Sequence, residues 1–222
     1  MLPNEGLHLV SNNPNSTDSL ETDLAAFYDQ QAPIRAEFSL DPEREARRTA
    51  FVDLLRTEGR SAVFEIGTGP GRDAIPMRDD GIAVSGIDLS AESVRLCVEQ
   101  GIDCREASLF DIPFEDDAFP AAWTMSTLLH VPDTRIEEAL LEITRVLEPG
   151  APIAIGTWGG HDAEHYHLYK GIDIPRFFSD RTDDRWRAIL ERHGTLERFD
   201  TWADRDGGQV HYQYAVLRLP PA

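Results

Sequence analysis

The stretch Ala62-Val63-Phe64-Glu65-Ile66-Gly67-Thr68-Gly69-Pro70-Gly71-Arg72 decides the fold. Residues 62–66 read as a short buried strand carrying one carboxylate. They run straight into alternate glycines and then a helix-like segment from about Arg72 to Asp80. Glycine lets the chain turn sharply and lets a ligand approach the main chain. The open N–H groups at the start of the next helix favour an anion or carboxylate. A second strand, Ala83-Val84-Ser85-Gly86-Ile87-Asp88, ends on a carboxylate 21 residues after Gly67. A carboxylate there can accept two hydrogen bonds from a ribose diol. Nicotinamide dehydrogenases share both features, but their fingerprint has glycine at the first, third and sixth positions. Counted from Gly67, the glycines fall at the first, third and fifth, and Arg72 stands sixth. An arginine cannot give the close helix–strand packing of that last glycine.

Alternation continues outward from this stretch. A helix capped by Ser90 runs to Gln100, a weak third strand covers Asp103 to Ala107, and a fourth covers Ala121 to Ser126. Asp133 to Leu147 is a strong amphipathic helix stopped by Pro149-Gly150, and Pro152 to Thr157 is a fifth strand. Strands alternating with helices imply a doubly wound, mostly parallel α/β sheet. The tail departs from the pattern: a helix from Asp183 to His193, a strand from Leu196 to Trp202, a turn at Asp206-Gly207-Gly208 and a returning strand from Val210 to Leu217. The sheet is therefore expected to end in an antiparallel C-terminal hairpin. Upstream, Asp23 to about Phe38 reads as a helix interrupted at Pro33. Asp41-Pro42 reads as an N-cap with proline at the first helical position, opening a helix to Thr57. Residues 1–20 are polar and turn-rich, so a disordered or loosely ordered terminus is expected. The implied organisation is 1–20 as terminus, 21–60 as N-terminal helices and 61–222 as the main domain.

The chain has 222 residues, with 40 acidic side chains against 21 Lys and Arg, a formal charge of −19. Such a surface repels phosphate backbones and anionic lipid heads, which argues against nucleic acid and membrane partners. Residues 1–150 carry 29 acidic and 12 basic side chains, whereas 151–222 carry 11 and 9, so the last third is the better dock for an anionic or neutral ligand. Two cysteines, Cys97 and Cys104, make neither a disulfide framework nor a zinc site. No apolar N-terminal stretch reads as a signal peptide and no run approaches a membrane span, so a cytoplasmic setting is expected.

Four segments resemble the class I S-adenosylmethionine-dependent methyltransferases, of the small-molecule, methyltransferase type 11-like kind. They are Glu65-Ile66-Gly67-Thr68-Gly69-Pro70-Gly71, Gly86-Ile87-Asp88-Leu89-Ser90, Leu128-Leu129-His130-Val131-Pro132-Asp133, and Glu142-Ile143-Thr144-Arg145-Val146-Leu147-Glu148-Pro149-Gly150. They occur in the family's order and span most of residues 62–157. The resemblance implies a Rossmann-like sheet of seven strands in the order 3-2-1-4-5-7-6, with S-adenosylmethionine as cofactor, S-adenosylhomocysteine as product and a small molecule as methyl acceptor. It also implies roles. Glu65, Gly67 and Gly69 would hold the methionine end, Asp88 the ribose hydroxyls, and Leu89 the adenine face. Ser108 and Leu109 would lie at the adenine edge, where the family often has aspartate. Met125 and Ser126 would line the methionine side. Phe119-Pro120 stands where Phe-Asp is usual, a structural change at a strand entrance. An N-terminal helix with Tyr28 would form a lid near the methyl donor. An NAD(P)-dependent oxidoreductase and a non-catalytic S-adenosylmethionine-binding protein are the competing readings.

Further candidates are read from residue type and place. His130 lies four residues past Ser126, at the crevice edge; it is a candidate general base, a substrate-positioning group or a scaffold residue. Arg35, His165, Arg176 and Arg181 are candidate substrate-pocket residues, with His161, His165 and His167 in a polar loop and Arg176 and Arg181 in an aromatic, basic segment. No metal is expected, because that loop lacks zinc-site spacing. Tyr212, with Trp202 and Tyr214, reads as sheet-face packing.

Overall fold

Each strand of the glycine-turn region pairs with its neighbours much as its apolar pattern implies. The computed structural model describes residues 8–9, 17–205 and 210–222. Its elements are β1 (His8–Leu9), α1 (Thr17–Ala36), α2 (Pro42–Thr57), β2 (Ala62–Ile66), α3 (Ala74–Asp79), β3 (Ala83–Asp88), α4 (Ala91–Glu99) and β4 (Asp103–Glu106). Then come β5 (Ala122–Met125), a 3-10 turn (Leu128–His130), α5 (Ile136–Arg145), β6 (Pro152–Gly159), β7 (Ala163–Tyr169), β8 (Ile172–Asp180), α6 (Asp183–Leu190), β9 (Thr195–Arg205) and β10 (Val210–Arg218).

The main sheet has seven strands in the order β4-β3-β2-β5-β6-β10-β9. The first five are parallel, and β10 runs antiparallel to both β6 and β9. In the numbering of the core strands alone this is the expected 3-2-1-4-5-7-6. Both faces of the parallel strands are covered. One is packed by Leu140 and Ile143 of α5 with Trp186 and Ile189 of α6. The other is packed by Phe51 and Leu55 of α2, Met77 of α3 and Cys97 of α4. That two-sided burial is why these strands read as continuous apolar runs. Phe119, at the strand entrance where the sequence departs from the family, stacks on Phe64 with ring centroids 4.6 Å apart.

Two elements differ from the sequence reading. α1 runs unbroken from Thr17 through Pro33 to Ala36. Pro33 is exposed and sits in the last turn, where only one main-chain bond is given up, and the helix continues. The segment read as a polar loop is a β-hairpin: β7 and β8 pair antiparallel, with His165 opposite Phe178 and Tyr166 opposite Phe177, and β1 adds along β7. Its alternation is hidden because histidine, tyrosine and arginine occupy positions that apolar residues take in a plainer strand. Phe177 and Tyr166 pack on Leu20 and Leu24 of α1. The turn at 206–208 and the residues 1–7 and 10–16 lie outside the described residues.

Candidate active site

The strand order reverses between β2 and β5, and open α/β sheets place their ligand crevice at such a point, at the carboxyl ends of the strands. A cleft of about 1140 Å³, open solvent at its mouth included, lies there. Its floor is the glycine turn. Gly67 and Gly69 take φ of 73° and 56°, the left-handed region. The turn is tied to β3: Gly67 N–H donates to the Ile87 carbonyl at 2.9 Å, and the Thr68 hydroxyl does so at 3.2 Å. Asp88, at the end of β3, accepts from Gly69 N–H at 2.8 Å through one oxygen and from Ser90 N–H at 2.9 Å through the other. Burial pushes its carboxyl up, and those two N–H groups pull it back. An added Cβ on Gly69 meets nothing within 4 Å, so main chain is bare toward open space there.

Of the residues singled out in the sequence, Tyr28, Arg35, Gly67, Gly69, Asp88, Leu89, Leu109, Met125, Ser126 and His130 line this cleft. Glu65 does not. It is 2% exposed, its Oε2 has no hydrogen-bond partner, and burial first, then nearby Asp73, raise its pKa far above the ordinary value. Ser108 also stands off the wall; its hydroxyl donates to Glu21 of α1 at 2.6 Å, and Glu21 itself faces the cleft.

The pocket candidates of the hairpin are not brought to this cleft. Arg181 is 2% exposed; its Nε donates to Asp133 at 2.8 Å and an Nη to the Val131 carbonyl at 2.8 Å. It clamps the segment after β5 to the end of β8. His165 stacks flat on Phe178, with Asp180 3.8 Å away. Arg176 is buried among the rings of Phe27, Tyr28, Tyr169 and Phe178, and donates to the Tyr28 and Tyr169 hydroxyls at 3.2 and 2.6 Å. It therefore reaches the cleft only through Tyr28.

His130 is held at both nitrogens. Nδ1 lies 2.6 Å from the Phe177 carbonyl, which can only accept, so Nδ1 carries the proton. Nε2 is then the acceptor for the Tyr28 hydroxyl at 2.7 Å. Burial, then Arg176, depress its pKa well below the usual histidine value. The ring is neutral, its basic nitrogen engaged, and it latches α1 to the end of β5. The unfolded chain takes up this proton near pH ~6.5 and the folded chain does so only at lower pH. Its contribution to stability is thus complete above pH ~6.5 and is lost as pH falls from there toward the folded value. In His130→Gln, stability measured by chemical denaturation at successive pH values is expected to fall less steeply on acidification, by up to about 1.4 kcal/mol per pH unit. An unchanged slope would show that His130 protonates normally in the fold.

Several residues in and beside the cleft have no role in the sequence reading. Arg44 lines the wall and is paired with Asp73, which also accepts from Arg48 at 3.0 Å and Trp123 Nε1 at 3.1 Å. Arg72 lines it too, its pKa pulled down to about 10 by burial and by Arg44 and Arg35. Asp29 of α1 accepts from the Ser90 hydroxyl at 2.7 Å and from Glu92 N–H at 3.1 Å, which pins α1 to the start of α4. A Pro-Glu-Arg-Glu helix start gives no local sign that its arginine will meet an aspartate 29 residues later. Among the described residues no group of three His, Cys, Asp or Glu gathers as a metal site, and no helix is long and apolar enough to cross a membrane.

A parallel sheet with a glycine turn, a strand-end carboxylate bonded to that turn and a helix across the cleft form the arrangement that the resemblance to the class I S-adenosylmethionine-dependent methyltransferases implies. Residues 64–155 match the family model of a methyltransferase domain. Methyltransferase GfsG of Streptomyces halstedii is 27% identical over 164 residues, 62% of this chain and 58% of that protein. The chain spans between 31% and 70% of the length of the curated relatives it matches. Among solved structures it is similar to the 1,6-didemethyltoxoflavin-N1-methyltransferase of Burkholderia thailandensis, with a TM-score of 0.74 at 17% identity, covering 96% of this chain and 95% of that one. It is also similar to the [4+2]-cyclase SpnF, with a TM-score of 0.67 at 18% identity, covering 90% of this chain and 96% of that one.

Proposed function

We propose that this chain transfers a methyl group from S-adenosylmethionine to a small-molecule acceptor. The observation that carries the reading is the cleft itself, where a glycine turn held by Asp88 faces Ser126 and His130 under the lid helix α1. The residues present fit the cofactor. Asp88 stands where a ribose diol would meet a carboxylate. Leu89, Leu109 and Phe110 give an apolar slot for a purine, with the Glu21 carboxylate at its edge. The methionine end is a zwitterion. Arg35 and Arg72 line the cleft and bring guanidinium groups to a carboxylate, Arg72 being steadied by a bond to the Ser39 carbonyl at 2.9 Å. The unpartnered Oε2 of Glu65 supports the expectation that this residue answers the ammonium end.

Bound there, the cofactor supplies an electrophilic methyl on a sulfonium whose positive charge disappears on transfer. What the protein adds is alignment of the acceptor with that methyl and exclusion of water, and such positioning is a large part of the rate. Tyr28 and His130 serve this by closing α1 over the cleft. His130, neutral and doubly bonded, is a positioning group in this reading rather than a general base.

The test is direct. Purified protein with isotope-labelled S-adenosylmethionine and a panel of small phenols, carboxylic acids, amines and stabilised carbanions is expected to form labelled product and S-adenosylhomocysteine. Tight S-adenosylhomocysteine binding with no turnover across the panel would favour the second reading, cofactor binding without methyl transfer. The fold likeness to a cyclase motivates keeping it. Neither nucleic acid nor a membrane is the partner in this proposal, and the cytoplasm is its setting, in keeping with the −19 charge. No gel shift of DNA or RNA is expected at physiological salt and micromolar protein; a sub-micromolar complex with either would overturn that part.

A further inference from the structure

Ser126 is one of two non-glycine residues among the described ones with positive φ, at 61°. The left-handed region crowds a Cβ against the following carbonyl, so a serine stays there only if its surroundings hold it. Two bonds do so. Ser126 N–H donates to the Gly156 carbonyl at 2.7 Å, and the Ser126 and Tyr212 hydroxyls are 3.0 Å apart. Tyr212 lies on β10, two strands away from β5, and is 5% exposed. It reaches Ser126 by crossing β6 at Gly156. A Cβ on Gly156 would stand 2.6 Å from the Tyr212 hydroxyl and 2.3 Å from Met125 Sδ, so only glycine leaves that path open.

The left-handed step at Ser126 redirects the chain. It turns the backbone off β5 so that Thr127 bonds across to the Ile66 carbonyl at 3.1 Å and closes against Gly67. The 3-10 turn then carries His130 to the cleft. We propose that Tyr212 is a positioning residue: its hydroxyl clamps Ser126 in the left-handed conformation that sets the β5 wall of the cleft against the glycine turn. A tyrosine that reads as plain sheet packing thereby acts on the ligand site through a second residue.

The clamp makes an unusual ordering of variants. Ser126→Ala keeps the crowded Cβ and loses the clamp, whereas Ser126→Gly needs no clamp. By calorimetry, Ser126→Ala and Tyr212→Phe are each expected to bind S-adenosylhomocysteine about fivefold more weakly. Ser126→Gly, which gives up the same hydroxyl in the cleft, is expected to bind more tightly than Ser126→Ala, and adding Tyr212→Phe to it should change little more. Thermal unfolding without ligand should show the same pattern, with Tyr212→Phe lowering Tm by about 3 °C alone and by much less in the Ser126→Gly background. Equal losses in the Gly and Ala variants would mean that the serine hydroxyl meets the ligand directly and would overturn the clamp. Equal effects of Tyr212→Phe in both backgrounds would overturn it too. If Tyr212→Phe does not fold, the two Ser126 variants decide alone. The ligand arm rests on the proposed function. Absence of S-adenosylhomocysteine binding by wild type would sink that reading, while the ligand-free unfolding cycle would still support the clamp if non-additive and refute it if additive.

Discussion

Asp88→Ala is expected to weaken S-adenosylhomocysteine binding by roughly 10- to 150-fold, the worth of ~1.5–3 kcal/mol for a charge-assisted hydrogen bond. The loss has two sources. The carboxylate is the group placed to accept from a ribose diol. It also accepts from Gly69 N–H at 2.8 Å and Ser90 N–H at 2.9 Å, so its removal frees the glycine turn and uncaps the approach to α4. Asp88→Asn separates the two. The amide keeps one acceptor but points an NH2 at one of two backbone donors, so a diol contact is half kept while the turn is disturbed. Calorimetry with S-adenosylhomocysteine, beside thermal unfolding of the free protein, checks both. Wild-type affinity in Asp88→Ala would remove Asp88 from the binding site.

The parts of the fold legible in the sequence are those fixed by local pattern. Ala62 to Ile66 and Pro152 to Thr157 are buried on both sides, so their apolar runs announce them, and the Asp41-Pro42 start is a local capping signal whose bond to Glu43 N–H forms at 2.9 Å. The strand order, too, came from the resemblance. The glycine turn was legible because its backbone requirement leaves few choices of residue.

The features that were not legible depend on partners far apart in the chain. Whether Arg181 enters a pocket or clamps one is decided by Asp133 and the Val131 carbonyl, about fifty residues away. In the β7–β8 hairpin β7 alternates histidine with tyrosine and leucine, and β8 sets Arg176 beside Phe177 and Phe178, so side chains of mixed polarity look like a loop until α1 covers one face of it. His130 showed the same limit. Its position at the crevice edge leaves a base, a positioning group and a scaffold residue all open, and it is the Phe177 carbonyl and Tyr28 hydroxyl that fix its tautomer and occupy its acceptor nitrogen. Residue type and place nominate a group for chemistry; its two hydrogen-bond partners decide which chemistry remains open to it.

Gly67→Ala is expected to be strongly destabilising. Two independent costs meet at one atom. The residue has φ of 73°, where a Cβ costs ~1–2 kcal/mol. That Cβ would also stand 2.0 Å from Thr127 Oγ1, 2.8 Å from its Cγ2 and 2.9 Å from its Cβ. The last distance matters most, because a Cβ moves only with its backbone, and the backbone of Thr127 is the wall that Ser126 sets. Opening that wall separates β5 from the glycine turn at the cleft floor. Overpacking of this kind costs a further ~1–3 kcal/mol, so a total loss of ~2–5 kcal/mol in stability is expected, with S-adenosylhomocysteine affinity down by about 10²-fold or more. Gly69→Ala is the control for strain alone. Its φ is 56° and its new Cβ meets nothing within 4 Å, so stability should fall by only ~1–2 kcal/mol. Thr127→Ala should rescue part of the Gly67→Ala loss, since it removes the two nearest side-chain atoms and leaves only the Cβ contact. Denaturant unfolding and calorimetry on the three variants and the double variant check the scheme. A Gly67→Ala protein with wild-type stability and affinity would mean that Thr127 does not close on the glycine turn.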